Sequence, residues 1–261
     1  MLIKTKKIAG QFLILFVVCT NLLFAQDEKS KKVAVVSICV NRTVDASLLS
    51  DDAVTTAAIL KLVKDSTFNL KPVLDDFQKR FFDEFAKQLP FSVLDEKEVL
   101  NNPGYQNFKG DGIAHDDDSK ARKFIDVFPI VPPGYKYITP DGGFGNKKNL
   151  DQNKVIALFP GIDGVMFIKL GYFLEPKMAI GGMGTAGLRA ILEIIVYNKE
   201  GKHAFTIREG EFAKKTLGLV KGVPTLNTKD VLPMCIDATN RLFAELPKSL
   251  PKIIKKTAKK L

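Results

Sequence analysis

Eight residues constrain this fold more than any others: Val33-Ala-Val-Val-Ser-Ile-Cys-Val40, preceded by Lys32. They are rich in β-branched side chains and almost continuously apolar. Successive side chains of a strand point to opposite faces, so a strand of this kind must be covered on both sides. The fold class that follows is mixed α/β (α+β): a single mixed sheet with helices packed on it.

The rest of the chain supplies those layers. Phe77, Phe81, Phe85 and Leu89 recur every four residues, with Pro72 suited to a first helical turn and Pro90 as the stop. A short helix is expected near Ala53 to Val63, a short strand at Phe91–Leu94 and a short helix over Leu150–Phe159. Further strands are predicted at Val165–Phe173, Leu188–Tyr197 and His203–Lys214, the last two joined by the hairpin turn Asn198-Lys-Glu-Gly201. A C-terminal helix carries Leu232, Cys235, Thr239, Leu242 and Leu246 on one stripe. Thr228 is its candidate cap, and Pro233 is expected to delay its start. Residues 101–146 are dense in turn chemistry and read as a loop-rich insertion, with one helix expected at Ser119–Val127.

The first 25 residues have the layout of a secretory signal peptide. Lys4, Lys6 and Lys7 precede an apolar run from Phe12 to Cys19, and Ala25 offers a cleavage point before Gln26. The domain reading is therefore a signal peptide at 1–25 and one mixed α/β domain at 26–261. Two alternatives stand beside it: a retained span over Ile8–Ala25, and lipidation of Cys19, although Val18 is bulkier than lipoprotein cleavage favours. An exported chain, in the periplasm or at the outer-membrane periphery, is separated from cytoplasmic nucleotides and nucleic acid. No cofactor, metal or nucleic-acid partner is implied.

The formal charge is +10, and the last stretch holds Lys248, Lys252, Lys255, Lys256, Lys259 and Lys260. An anionic membrane or cell-wall surface is the natural counterpart of such a tail; a solvated helix face is the alternative. There Ile253, Ile254, Thr257, Ala258 and Leu261 share one helical face, which can lie on lipid headgroups or on the protein's own sheet. After signal cleavage only Cys39 and Cys235 remain, either paired in a disulfide or as two buried thiols.

Gly182-Met-Gly-Thr-Ala-Gly187 matches G-x-G-x-x-G, but strand-like residues follow where a dinucleotide site needs a helix. The segment reads instead as a loop from Ala179 to Ala186. Gly181, Gly182, Gly184 and Gly187 mark it as an uncharged tip for a neighbouring subunit or a membrane. His115-Asp116-Asp117-Asp118 lacks calcium-loop spacing, and Asp118 or Ser119 suits a helix cap. No G-x-S-x-G, CxxC or HExxH occurs. Asn41-Arg42-Thr43 fits a glycosylation pattern that an exported bacterial chain does not use.

The element order resembles one family. A strand runs into Val40-Asn-Arg-Thr43, an amphipathic helix leads to Phe91-Ser-Val-Leu94, and Gly161-Ile-Asp-Gly164 introduces a long strand. Two strands then flank Asn198–Gly201. This is similar to the domain shared by the curli secretion-channel lipoprotein, the amino-terminal domain of TolB and the lipoprotein activators of penicillin-binding proteins. The resemblance implies an anticodon-binding-like, TolB-like domain with no active site of its own. It implies docking to other envelope proteins or self-association. The function expected is thus non-enzymatic protein–protein interaction in the cell envelope. Alternatives are an oligomeric pore or secretion subunit, with its membrane hairpin around residues 165–197, and an exported hydrolase with its site in 101–146.

Overall fold

A computed structural model of the chain describes residues 31–49, 53–109, 129–138, 140, 151–180 and 183–261. The signal-like segment, Cys19, Gly181, Gly182, the His115–Asp118 run and the helix expected at 119–127 lie outside the described residues.

The fold is mixed α/β, and six strands form one sheet. In chain order these are β1 (Lys32–Asp45), β2 (Ser92–Val93), β3 (Gly164–Ile180), β4 (Met183–Asn198), β5 (His203–Val220) and β6 (Val223–Pro224). Their spatial order is β2-β1-β3-β4-β5-β6, with β2, β1 and β3 parallel and the rest antiparallel. The parallel pairings are reached through helical crossovers, as parallel pairing requires. The helices are α1 (Ala53–Lys64), α2 (Lys71–Arg80), α3 (Glu96–Leu100), α4 (Pro103–Asn107), α5 (Asp151–Ile156), α6 (Thr228–Glu245) and α7 (Leu250–Lys260).

The Val33–Val40 strand is buried on both faces, as its sequence demands. Val33, Val35, Ile38 and Val40 join one core, Ala34 and Val36 another. The first core lies under α2, α6 and α7. Phe77, Phe81, Phe85 and Leu89 all point into it, each at most 3% exposed. Their helix is not uniform. After Arg80 it widens into a π turn over Phe81–Phe85, with Ala86 N–H donating to the Phe81 carbonyl, and ends in a 3-10 turn before Pro90. The wider turn lets Phe82 pack beside the stripe, edge-on to Phe81 at 5.3 Å. The second core is smaller. There α3, α4, α5 and Ile138, with Phe159 and Ile162, cover Ala34, Val36, Val165, Phe167 and Tyr197. Tyr105 anchors it: the hydroxyl donates to the Val36 carbonyl at 2.7 Å and accepts from Lys136 N–H at 3.0 Å.

Three local expectations are corrected. Asn227, not Thr228, caps α6, its side chain accepting from Asp230 N–H at 3.0 Å. Pro233 does not delay the helix but lies inside it, where its missing N–H costs one bond near the exposed start. On α7 the buried face is narrower than expected: Ile253 and Thr257 are buried, whereas Ile254 is 44% exposed and Ala258 faces solvent.

Candidate docking surface

The long strands outrun the layers that cover them. The predicted ends at Phe173, Leu188 and Lys214 fall short; β3 runs to Ile180, β4 begins at Met183 and β5 continues to Val220. The expected glycine-rich loop is therefore the end of a hairpin, in which Ile180 pairs with Met183 and Ala179 with Gly184. Pro176 is accommodated at a bulge between Pro176 and Met178, the setting in which a strand tolerates proline. Gly187 is flanked by the Lys177 side chain and the Phe212 ring, and a Cβ there would lie 2.7 Å from Lys177 Cε. Of the four glycines proposed for contact, Gly184 and Gly187 are thus paired strand residues.

On the helical side this arm is covered: Leu174, Leu188, Leu217 and Leu219 are buried. On the other side the register lays out successive cross-strand rows. Lys169 pairs with Glu193 and Glu193 with Arg208; Gly171 with Ile191 and Ile191 with Gly210; Phe173 with Arg189 and Arg189 with Phe212. Phe173, Ile191 and Phe212 are only half-buried. No helix covers these rows among the described residues. The glycines open a depression of about 440 Å³ between the charged and aromatic rows, bordered by Ser47 and by Leu48, which is 60% exposed. The Asn41–Thr43 segment bulges out of β1 beside it, with Asn41 Nδ2 over Gly171.

Arg189 occupies the middle of this face. Nη1 donates to Glu175 Oε1 and Nη2 to the Gly210 carbonyl, both at 3.4 Å, while Nε lies against Gly210 without a hydrogen-bond partner. Contacts this long, on a side chain 36% exposed, hold it weakly. Lys177 Nζ sits over the Phe212 ring at 3.1 Å. Aromatic rings, an arginine on weak contacts and exposed aliphatic side chains are the composition that protein partners use at interface centres.

The basic tail has a different role. Lys256 Nζ donates to the Thr206 carbonyl at 2.9 Å, and Lys252 approaches Glu209 at 3.9 Å. Asp237 of α6 accepts from Lys214 N–H at 2.7 Å. Thr206 and Gly210 are spaced by four along β5, so their carbonyls leave the strand on the same side, and Lys214 lies in the bulge between Phe212 and Thr216. Lys256, Arg189 and Asp237 thus blunt an edge that would otherwise invite strand addition. Lys255, Lys259 and Lys260 remain exposed.

Cys39 and Cys235 are free and buried. The bridge is not formed, for a topological reason. Ile38 and Val40 both face the helical core, so Cys39 between them points to the other face, while Cys235 lies in the helical core. Burial pushes the Cys39 thiol up to about 12 and raises Cys235 further. Among the described residues no three His, Cys, Asp or Glu side chains converge on a point. No described helix is long and apolar enough to cross a membrane. Compared with known proteins, the chain matches no family model and no curated sequence.

The open face was missed by sequence reasoning, although its signal is present. Leu188, Ala190, Leu192, Ile194 and Val196 alternate with Arg189, Ile191, Glu193 and Ile195. Two-residue alternation with a mixed polar and apolar second set marks a face that is not core.

Proposed function

We propose that this chain is a non-enzymatic, exported protein of the cell envelope that works by docking another envelope protein against the open face of its sheet. The observation that carries the reading is the field from Lys169 to Phe212, half apolar, uncovered among the described residues and centred on the weakly held Arg189. The signal-like first 25 residues support the address, and the resemblance to the TolB amino-terminal domain and its relatives supports docking as the mode of action. The charges on the field favour a protein partner over a pore role. Lys169, Glu193 and Arg208 lie on this open face, whereas a lipid-facing strand face is apolar.

The test is a photo-crosslinking residue at Ile191 in intact cells, with Glu200 in the far hairpin turn as the control position. A covalent adduct of one defined mass at Ile191 only, lost in an Arg189→Glu variant, supports the reading. No adduct, together with a monomeric chain in mild detergent extracts, overturns it. Mass spectrometry of the mature amino terminus tests the address: Gln26 first, or a lipidated Cys19, against an intact Met1.

A further inference from the structure

The end of the arm has a surface of its own. The register that sets the rows of the open face continues to Met178 with Thr185, Thr185 with Gly218, and Met183 with both Ile180 and Val220. Pairs two residues apart return to the same face, so Met178, Met183 and Val220 emerge together. They are 59%, 73% and 64% exposed, which places them among the most exposed large apolar side chains described. Methionine is flexible and polarisable, and it adapts to a surface that has no fixed shape.

The charge around these residues is predominantly positive, and the carboxylate nearest to them on this face, Glu175, is paired with Arg189. Residues 176–192 and 212–229 hold Lys177, Arg189, Lys214, Lys215, Lys221 and Lys229, and no Asp or Glu. Lys177, Lys214, Lys215 and Lys221 are exposed. Lys221 forms the β5–β6 turn beside Met183, its φ of 52° held next to Gly222. An apolar cluster flanked by lysines is complementary to a layer whose surface is anionic and whose interior is apolar. A second copy meeting it end to end would set lysines against lysines. The other basic surface, α7, lies apart: Ile253 and Thr257 are buried, Lys256 caps Thr206 roughly 45 Å of strand away from Val220, and Lys255, Lys259 and Lys260 are exposed.

We infer that the end of the β3–β4–β5 arm docks on an anionic lipid headgroup layer. Met178, Met183 and Val220 enter the boundary between headgroups and acyl chains, and Lys177, Lys215 and Lys221 lie at the phosphates. Affinity of this kind scales with buried apolar area plus attraction to anionic lipid. The inference is distinct from the open-face proposal in its ligand, and the two share only Lys177, which also lies over Phe212.

The experiment places an environment-sensitive dye at Met183→Cys, and in a second sample at Glu200→Cys. The native Cys39 and Cys235 are buried and do not compete for the label. Each sample meets vesicles of phosphatidylcholine alone or with about one third phosphatidylglycerol. The expected result is a blue shift at Met183→Cys with anionic vesicles only, and none at Glu200→Cys. Flotation of the unlabelled chain should fall about tenfold in Met178→Ser/Met183→Ser/Val220→Thr. It should fall about fivefold for each of Lys177→Gln, Lys215→Gln and Lys221→Gln. All six positions are at the surface, so circular dichroism should show each variant folded. An unshifted dye with every vesicle overturns the inference, as does equal binding to neutral vesicles. A shift produced by envelope protein but not by lipid also overturns it and assigns the end to a protein partner. The Ile191 crosslink is read independently of every one of these outcomes.

Discussion

The base of the sheet and its arm are built from the same strands, and they differ in what lies on one face. Phe167 and Phe173 make the point within β3. Six residues apart, they project from the same side; Phe167 is 4% exposed under α4 and α5, while Phe173 is half-buried at the edge of the open depression. Burial here follows from the covering elements, and those elements end before the strands do. A region covered on both faces is committed to stability. A region covered on one keeps a surface for another molecule, without any weakening of its backbone ladder.

The largest effect expected from this comparison is chemical. Cys39 and Cys235 lie on opposite faces of the sheet, and burial raises both thiols. The thiolate is the reactive form, so alkylation at pH 8 should be slowed about a thousandfold at Cys39 relative to a free thiol. Intact mass after iodoacetamide checks this: no adduct on either cysteine in the folded chain, and both modified after denaturation without reductant. A disulfide would leave both unmodified after denaturation. The sign of the accompanying pH dependence is fixed. A thiol raised by folding stabilises the native state below its ordinary value near 9, and that contribution is lost as pH rises towards about 12. Urea midpoints should therefore fall above pH 9.

Next comes the pair of phenylalanines itself. Phe167→Ala should cost about 3–5 kcal/mol by leaving a cavity in the second core, whereas Phe173→Ala should cost about 1 kcal/mol. Urea unfolding of the two variants measures the contrast. If Phe173→Ala is as costly as Phe167→Ala, the open face is covered in solution, and a concentration-dependent midpoint would assign the cover to a second copy.

Tyr105→Phe probes the covered base through hydrogen bonding instead of volume. The substitution leaves the Val36 carbonyl and Lys136 N–H buried without their shared hydroxyl. About 1–3 kcal/mol should be lost, with amide exchange at Lys136 accelerating before that of the sheet as a whole. Equal acceleration everywhere would mean that the second core has no local stability distinct from the first.

Much of the covered region was legible in the sequence, because burial there is written into periodicity. The four-residue spacing of Phe77, Phe81, Phe85 and Leu89 and the two-faced apolarity of Val33–Val40 both led to the right layers. The Asn198–Gly201 turn was equally clear: Gly201 has a φ of 72°, and a Cβ there would collide with Asn153 Oδ1. The arm was less legible. Pro176, Gly184 and Gly187 are turn formers by composition, yet a bulge absorbs the proline and packing by Lys177 and Phe212 holds Gly187 in the ladder. The α6 start misled for a similar reason. Thr228 is a good cap by type, but its hydroxyl is engaged with Asp65 at 2.5 Å, leaving the role to Asn227. The open face was hidden for a different reason: alternation says which residues share a face, not whether anything covers it.

The smallest expected effect is the most discriminating for the arm. Met183 is 73% exposed at the hairpin end, so Met183→Ser removes little buried area and should change unfolding free energy by less than about 0.5 kcal/mol. A core-facing methionine such as Met234, 2% exposed on α6, should lose several times more on the same change. The contrast separates two accounts of an apolar residue. A side chain retained for folding announces itself in stability; one retained for contact leaves stability alone and announces itself only when the contacting layer is present. If Met183→Ser destabilises the chain in the absence of lipid or partner, the arm end is packed on the protein itself, and both the arm's openness and its lipid docking are refuted together. If stability is unchanged while the vesicle response at the arm end is lost, the residue's role is contact, and the comparison between base and arm becomes one between folding and binding.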